Sequence, residues 1–205
     1  MNLKIRKYHP SDIKILYNIS LLTSNKGKDV ELLNDEPNLI GDLFVAPYVK
    51  LEPDLCFVLT LNDEPCGYIL GTKDSEKFYL NCEENYFPSL REKYKYLPQE
   101  NSTRYAILKR VIQIGHKPKE NFKSYPAHLH INILPIAKGK GMGKKLMNEF
   151  IDELRNKNVP GLHLKVGKTN TNAIQFYSHI GFEIIKDYEY SLTMGIEINK
   201  NKEVF

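Results

Sequence analysis

Alternating and helix-period hydrophobic patterns divide the N-terminal part of the chain into short strands and helices. Residues Leu3–Tyr8 alternate apolar and polar positions, which is typical of a half-buried strand. His9–Asp12 then supplies residues that favour a helix start, and we predict Ser11 as the N-cap. The apolar positions that follow have a helical period and predict a helix to about Leu22.

The next part of the chain predicts a loop, a short helix and a hairpin. Asn25–Glu36 is mostly polar and loop-like, and we expect a helix over Asn38–Ala46 that ends at Pro47. Two runs rich in β-branched and aromatic residues follow, Leu55–Leu61 and Cys66–Thr72. Because only a short turn separates these runs, they predict an antiparallel hairpin.

A second patterned region begins with a strand-like run and a glycine-rich loop. Ala127–Pro135 forms the run, and the loop Lys138–Lys144 leads directly into a helix with an apolar stripe of period 3.6. An alternating strand is expected over Leu162–Val166, and another helix starts near Asn170 and ends at Gly181. Two closing strands are predicted, Phe182–Lys186 and Tyr190–Ile198.

Composition narrows the class of protein. The 205 residues are 41% hydrophobic and 26% charged, which indicates a folded protein, and we expect one domain over 1–205. The N-terminus shows no signal peptide, and no apolar stretch is long enough to cross a bilayer, so we expect a cytoplasmic protein. Cys56, Cys66 and Cys82 are odd in number and lack metal-ligand spacing, so we predict reduced thiols and no metal.

The order of strand, glycine loop and helix is typical of a phosphate-binding site. Glycines carry no bulky side chain, so backbone N–H groups at the helix start can approach an anion closely. The spacing excludes two common nucleotide loops. Gly143 comes one residue early for a dinucleotide fingerprint, and a triphosphate loop would need glycine at Lys138 and serine or threonine at Lys145. The net charge of +4 is mild, and lysines concentrated at the loop suit a small polyanion better than nucleic acid.

The remaining pattern, Lys138-x-x-Gly141-x-Gly143, resembles the coenzyme A pyrophosphate loop of the GNAT family of acetyltransferases. A second motif resembles the same family independently and stands in the family's order. Its residues are Asn170, Ala173, Phe176, Tyr177, Gly181 and Phe182. The resemblance implies the α/β (α+β) acyl-CoA N-acyltransferase fold. Its central mixed, mostly antiparallel sheet is flanked by helices, and an insertion of about residues 74–126 separates the third and fourth strands.

A narrower resemblance is carried by three segments, Gly41–Tyr48, Gly67–Asp74 and Tyr125–Ile131. They are similar to the acetyltransferase-like C-terminal domain of O-GlcNAc hydrolases and to bacterial stand-alone relatives of that domain. Helices are expected within Asp74–Tyr94 and over Thr103–Ile114 of the insertion. We interpret the insertion either as a lid or wall over the acceptor site or as an extra packing layer or dimer surface.

The family resemblance also implies which residues bind the coenzyme. Backbone groups at the end of the fourth strand, at Asn132, Ile133 and Leu134, would hold the pantetheine arm and the acetyl carbonyl. Asn170 would contact the pantetheine or adenosine side, with Ala173, Phe176 and Tyr177 beside the coenzyme. The glycine loop would take the pyrophosphate with Lys138, Gly139, Lys140, Gly141, Met142, Gly143 and Lys144.

For catalysis, the resemblance assigns the general acid to Tyr177, because a phenol with a pKa of about 10 stays protonated at neutral pH. The general base stays open. Some family members carry a glutamate on the fifth strand, but this chain has Lys165 at the matching position. The candidate bases are Asp74, His128, His130 and His163. Asp74 and His130 are our catalytic choices beside Tyr177, and a water chain without a dedicated base is also compatible.

These assignments predict an acetyl-CoA-dependent N-acetyltransferase that transfers the acetyl group directly to a primary amine in a ternary complex. The alternative is a catalytically inactive module that binds coenzyme A or a peptide as a sensor or interaction domain. The expected partner is a small-molecule or peptide amine, with no nucleic acid and no membrane, and a homodimer is compatible. Acidic residues of the insertion are candidates for holding a cationic acceptor, namely Asp74, Glu76, Glu83 and Glu84.

Overall fold

The computed structural model describes residues 2–24, 36–97, 103–115 and 120–198. The described strands form a seven-stranded sheet in the order β1-β2-β3-β4-β5-β7-β6. Neighbouring strands are antiparallel, except that β4 and β5 run parallel. The strands are β1 (Leu3–Lys7), β2 (Cys56–Leu61), β3 (Glu64–Thr72), β4 (Ala127–Ile133), β5 (Gly161–Gly167), β6 (Glu183–Asp187) and β7 (Ser191–Glu197).

Helices cover both faces of the sheet. They are α1 (Ile13–Thr23), α2 (Leu39–Phe44), α3 (Ala46–Leu51), α4 (Ser75–Asn85), α5 (Phe87–Lys93), α6 (Arg104–Ile114), α7 (Met142–Asn156) and α8 (Thr171–Ile180). Helices α1–α6 pack with one hydrophobic cluster and α7 and α8 with another. Tyr68 and Ile69 are neighbours on β3 but belong to different clusters, because successive strand side chains point to opposite faces. None of the described helices is long and apolar enough to cross a membrane.

The predicted start of the first helix is wrong at Ser11. A single 3₁₀ turn, Pro10–Asp12, precedes α1, and the imidazole of His9 accepts a hydrogen bond from the Ser11 N–H. Asp12 is held in this turn by two hydrogen bonds from the guanidinium of Arg6, at 2.7 and 2.8 Å. This ion pair between β1 and the turn holds the turn in place, and α1 begins only at Ile13.

The predicted role of Pro47 is also wrong. Helix α2 ends at Phe44, and Pro47 lies in the first turn of a second helix, α3. A proline is tolerated there because the first N–H groups of a helix have no intrahelical acceptor. The loop predicted over Asn25–Glu36 lies outside the described residues up to 35.

The β2–β3 hairpin is confirmed with a tighter turn than predicted. Asn62 and Asp63 have φ values of 51° and 70°, the left-handed conformation that a two-residue hairpin turn needs. As a result β3 begins at Glu64, before the predicted Cys66. The helix predicted within Asp74–Tyr94 is divided into α4 and α5, which meet at Tyr86.

Strands β4 and β5 pair over only a short distance. Their parallel register contains two residue pairs, Ala127 with Leu162 and His128 with His163. Beyond His128, β4 continues to Ile133 paired with β3 alone among its described neighbours. The two strands therefore separate, and one edge of β4 is open along its C-terminal half.

Candidate active site

The glycine loop turns the chain from the end of β4 into α7. Gly139 and Gly141 have φ values of 72° and 71°, and a Cβ atom at either position would meet nothing within 4 Å. These two glycines are therefore needed for the backbone conformation and not for packing. Gly143 is needed for close packing instead, because a Cβ there would lie 3.1 Å from the Phe176 ring of α8.

The start of α7 presents unpaired donors and cations together. The first backbone hydrogen bond of the helix runs from the Lys145 N–H to the Gly141 carbonyl, at 3.2 Å. The N–H groups of the preceding residues, Met142 to Lys144, have no acceptor within the helix. Lys138 and Lys140 are exposed at this loop, and the Lys140 ammonium donates to the Ile136 carbonyl at 2.9 Å. Such an arrangement can hold a pyrophosphate.

The open edge of β4 determines which backbone groups next to the glycine loop are available to a ligand. The Leu134 N–H donates to the Cys66 carbonyl, and its carbonyl accepts from the Ala137 N–H. Backbone directions alternate along a strand, so Ile133 points its N–H and carbonyl away from β3 and towards the gap. The side chain of Asn132 lies on the other side, where its amide donates to the Thr23 hydroxyl. Of the three predicted residues, Ile133 is the one with backbone groups at the gap.

Helix α8 lies beside the gap with a half-covered apolar face. The side-chain oxygen of Asn170 caps the helix by accepting from the Ala173 N–H at 3.3 Å. No residue of α8 is fully buried, although one side of the helix packs against the core. The residues on that side are Ala173, Ile174, Phe176, Tyr177 and Ile180. An apolar helix face that its own chain covers only in part is typical of a ligand cleft.

Tyr177 is held by aromatic contacts at this place. Its ring centroid lies 5.3 Å from that of Phe176 and 5.7 Å from that of Phe182. Burial raises the pKa of the Tyr177 phenol to about 12. The phenol is therefore fully protonated at neutral pH and can donate a proton.

A cleft of about 970 Å³ lies on the opposite face of the sheet, between the strands and the insertion. We call it the insertion cleft. Its floor includes His130 of β4 and His163 and Lys165 of β5, so it spans the point at which these strands separate. Walls come from α2–α6 and from segments near β4 and β6, among them Phe44, Tyr79, Phe87, Phe122, Tyr125 and Tyr188. The insertion is a wall of this cleft.

The three described histidines that line the insertion cleft have different environments. His128 is 5% exposed, and its ring nitrogens lie 2.7 Å from the hydroxyls of Tyr48 and Ser75. The Ser75 hydroxyl also donates to the Pro126 carbonyl at 2.6 Å, so it accepts from Nδ1–H of His128. Neither ring nitrogen of His128 is left to take a proton from a substrate.

His163 and His130 both line the insertion cleft. The Nδ1 atom of His163 lies 2.6 Å from the Tyr125 carbonyl, so it carries the proton, and burial lowers the pKa of this imidazole. His130 is partly exposed, with its ring edge-on to those of Phe44 and Tyr48, at 5.9 and 5.3 Å between centroids.

Asp74 lies at the rim of the insertion cleft and is already engaged. One carboxylate oxygen accepts from the Lys77 N–H at 3.1 Å and caps α4, and the other lies 3.3 Å from the Lys77 ammonium. The Asp74 N–H donates to the Thr72 hydroxyl at 3.2 Å. The structure thus brings Asp74 and His130 to one cleft, whereas Tyr177 belongs to the α7–α8 side of the sheet.

Sequence reasoning missed several residues of the insertion cleft. Phe122 and Tyr125 lie just before β4, in the least regular stretch, and Tyr188 lies between β6 and β7. No periodic signal marks them, because none of the three belongs to a helix or strand. Among the described residues, no three His, Cys, Asp or Glu side chains group as a metal site would need.

Comparison with known proteins decides the family. A sequence profile described as "Acetyltransferase (GNAT) family" matches residues 28–182, which is most of the chain. The chain belongs to the GNAT acetyltransferase family. The predictions of an acetyltransferase and of acetyl-CoA as the co-substrate are confirmed at the level of this family.

Similar proteins agree with both the broad and the narrow resemblance. Protein O-GlcNAcase of Rattus norvegicus is 28% identical over 188 residues, which cover 89% of this chain but 20% of that protein. The protein of the same name from Mus musculus gives the same values. The chain thus spans about a fifth of the length of these curated relatives. The crystal structure of SsHAT is 30% identical with a TM-score of 0.84, and the match covers 97% of this chain and all of SsHAT.

A more distant structure supports the GNAT fold alone. The PaiA N-acetyltransferase from Thermoplasma acidophilum, solved in complex with coenzyme A, has a TM-score of 0.61 at 14% identity, with 96% of this chain and 99% of that chain covered. Together with the seven-stranded sheet flanked by helices, these matches confirm the predicted fold class.

Proposed function

We propose that this GNAT protein moves the acetyl group of acetyl-CoA directly to a primary amine in a ternary complex. The observation that carries the proposal is the intact glycine loop, with two left-handed glycines at the start of α7, beside the open edge of β4. This combination supports binding of a pyrophosphate and a pantetheine arm at one place. The family match does not favour the alternative of an inactive module.

The proposed coenzyme site uses mostly backbone groups. The N–H groups of Gly139 to Lys144 take the pyrophosphate, with Lys138 adding positive charge. The backbone of Ile133 lies at the open edge and is placed to hold the pantetheine arm or the acetyl carbonyl. Phe176 and Tyr177 cover the coenzyme from α8, whose start is fixed by Asn170.

In the proposed reaction, the acceptor nitrogen attacks the thioester carbonyl, the new C–N bond forms, and the C–S bond breaks. The departing thiolate takes a proton from the phenol of Tyr177, which is protonated at neutral pH. The second proton that the attacking nitrogen loses on forming the amide restores this phenol. The backbone N–H at the β4 edge stabilises negative charge on the carbonyl oxygen. Tyr177 thus acts as the general acid.

We place His130 as the group that takes the proton of the acceptor ammonium. It is partly exposed at the insertion cleft, on the strand that borders the gap. His128 is excluded because both of its ring nitrogens are hydrogen-bonded, and Asp74 because its two oxygens are engaged with Lys77.

A covalent acetyl-enzyme has less support. Of the three cysteines, Cys82 is the one at the insertion cleft. It is 1% exposed, and burial raises the pKa of its thiol to about 12. Because the thiolate is the nucleophilic form, a thiol that stays protonated is a poor acyl acceptor. The three buried free thiols also support our proposal of a cytoplasmic location.

Thermal unfolding with and without acetyl-CoA tests the coenzyme site. Saturating acetyl-CoA should raise the Tm of the wild type by about 5–10 °C, since a ligand at 100 times its Kd stabilises by about 2.7 kcal/mol. The Gly141→Glu variant should lose this rise, because its carboxylate would lie where the pyrophosphate binds and its φ of 71° is strained for a non-glycine residue.

Asn158→Glu is the matched control for this experiment. Asn158 also has a positive φ, 56°, and lies exposed at the opposite end of α7. Asn158→Glu introduces the same charge at a residue with a similar backbone conformation, so the rise in Tm on addition of acetyl-CoA should persist. A wild type whose Tm acetyl-CoA does not change would contradict the proposed coenzyme site.

A further inference from the structure

The walls of the insertion cleft suit a flat apolar group. Partly exposed rings face it from separate segments, among them Phe44, Tyr79, Phe122, Tyr125 and Tyr188. Its volume of about 970 Å³ lies within the range of about 300–1,000 Å³ that is typical of small-molecule sites. Aromatic side chains give such a cleft a large contact area for another ring.

The acidic residues at the insertion cleft are already paired. Asp74 lies 3.3 Å from the Lys77 ammonium, and Glu120 lies 3.5 Å from the Lys186 ammonium. Glu76 accepts a hydrogen bond from the amide of Asn121 at 2.8 Å. Asp74 and Glu120 are thus already paired with cations, and Glu76 already accepts a hydrogen bond, which makes these residues poorer candidates for holding a cationic acceptor.

Two described lysines that line the insertion cleft, Lys123 and Lys165, are not paired with carboxylates in this way. Neither Lys123 nor Lys165 forms an ion pair with a carboxylate of the described residues. The Lys165 ammonium lies 4.9 Å from the ring centroid of Tyr188. A cation held over an aromatic face keeps its charge and its hydrogen-bond donors for a further partner.

The position of Lys165 places this charge near the expected reaction. Lys165 comes two residues after His163, which forms the last pair between β4 and β5, and lies on the same face of the sheet. A cation at that point repels polyamines and lysine side chains. It attracts a carboxylate and favours the neutral form of a nearby amine.

We propose that the acceptor is a free α-amino acid with an aromatic side chain, whose carboxylate binds Lys165. The ring would lie between the aromatic walls of the insertion cleft, and the amine would face the gap between β4 and β5. This inference rests on the proposed acetyl transfer. The product is an N-acetylamino acid, formed as the C–N bond replaces the C–S bond and the ammonium proton passes to His130.

Matched substrate pairs test the proposal. L-Phenylalanine and phenethylamine differ only in the carboxylate, as do L-tryptophan and tryptamine. For the wild type, kcat/KM should be higher for each amino acid by about tenfold to a hundredfold, the size expected for a charged hydrogen bond. Lys165→Met should remove this preference, mainly through KM for the amino acids, so that kcat/KM becomes equal within about twofold for the two members of each pair.

Two further variants sharpen the comparison. Lys165→Glu should reverse the preference within each pair, because it replaces attraction of the carboxylate by repulsion. Lys157→Met removes a lysine at the far end of α7, where it pairs with Glu153. This variant should change kcat/KM for neither member of a substrate pair. Lys165 is exposed, so these substitutions should leave the fold intact.

Several outcomes would overturn the amino-acid class. One is equal or faster turnover of the amines by the wild type, and another is an equal loss for both members of a pair in Lys165→Met. Preferential turnover of spermidine or of a lysine-containing peptide would also overturn it, while leaving acetyl transfer in place. A failure of the acetyl-CoA thermal shift is measured separately and would contradict the proposed function itself.

Discussion

The two faces of the sheet differ in how their functional residues are brought together. On the α7–α8 side, the groups that would hold the coenzyme belong to short continuous segments, namely the end of β4 at Ile133, Lys138–Lys144 and Asn170–Tyr177. On the other side, the insertion cleft is assembled from distant parts of the chain, from Phe44 to Tyr188. The first surface depends on local backbone geometry, whereas the second depends on how separate helices and loops pack. We therefore expect substitutions to affect coenzyme binding and acceptor use separately.

Tyr177→Phe should give the largest effect, on the chemical step alone. Loss of the phenol should lower kcat by about 100-fold or more, the usual range for a general acid. The ring contacts with Phe176 and Phe182 remain, so the acetyl-CoA-dependent rise in Tm should persist. Release of coenzyme A thiol with the best amine of the substrate panel measures kcat. Tyr190→Phe, at a tyrosine that is 78% exposed, is the control, and unchanged turnover in Tyr177→Phe would remove Tyr177 from the mechanism.

Asp42→Ala should destabilise the insertion side by about 2–4 kcal/mol. The Asp42 carboxylate accepts from the hydroxyls of Tyr17 and Tyr94, at 2.7 and 2.6 Å, and lies beside the Lys93 ammonium. These contacts join α2 to α1 and to the insertion, and the substitution leaves two phenols without their acceptor. Urea unfolding measures the loss.

The same variant separates the two faces of the sheet. The variant should keep a coenzyme-dependent rise in Tm, while kcat/KM for the acceptor falls because the wall of the insertion cleft is loosened. Asp152→Ala is the control, since Asp152 is 60% exposed and its pair with Arg155 on α7 is worth little. A parallel loss of coenzyme binding in Asp42→Ala would show that the faces are not independent.

His163 at the point where β4 and β5 meet should give the smallest effect, a pH dependence of stability. Burial lowers the pKa of His163, so below about pH 6.5 the unfolded chain binds a proton that the native protein does not. Stability is therefore lost as the pH falls through that range. His163→Gln removes this contribution, and its free energy of unfolding relative to the wild type should improve by at most about 1.4 kcal/mol between pH 7.5 and 5.5, the limit for an imidazole that stays neutral in the native protein.

His179→Gln is the control for the pH series, because His179 is exposed on α8. Chemical unfolding at several pH values measures the difference between each variant and the wild type, so the titration of shared carboxylates cancels. A difference for His163→Gln that does not change with pH would contradict a neutral buried imidazole.

The sequence predicted the coenzyme side of the fold well because its signals are local. Loop, apolar stripe and helix cap lie within a few residues of one another, and the elements after Ala127 were placed within about two residues of their observed bounds. Predictions failed where distant residues decide the outcome. Ser11 does not cap α1, because the turn before it is fixed by Arg6 of β1. Pro47 is a local exception, since a proline is compatible with the first turn of a helix as well as with the end of the preceding one.

Local sequence patterns could not predict the insertion cleft, where we place the acceptor. No pattern within the sequence indicates that Phe44, Tyr125 and Tyr188 line one cleft, since only the packing of the insertion brings them together. The pairing of Asp74 with Lys77 was also not evident, although the spacing of three residues along a helix start is compatible with it. Residue types alone gave the candidate bases, and hydrogen bonds were needed to exclude His128.

The short contact between β4 and β5 has a mechanical consequence. Strands β1–β4 and β5–β7 form two halves of the sheet, and the halves are joined by backbone pairing over only two residue pairs. A molecule that fills the gap and forms hydrogen bonds to both β4 and β5 would couple the two halves mechanically. Amide hydrogen exchange in β5 and β7 should then slow when acetyl-CoA binds, even at residues far from the glycine loop.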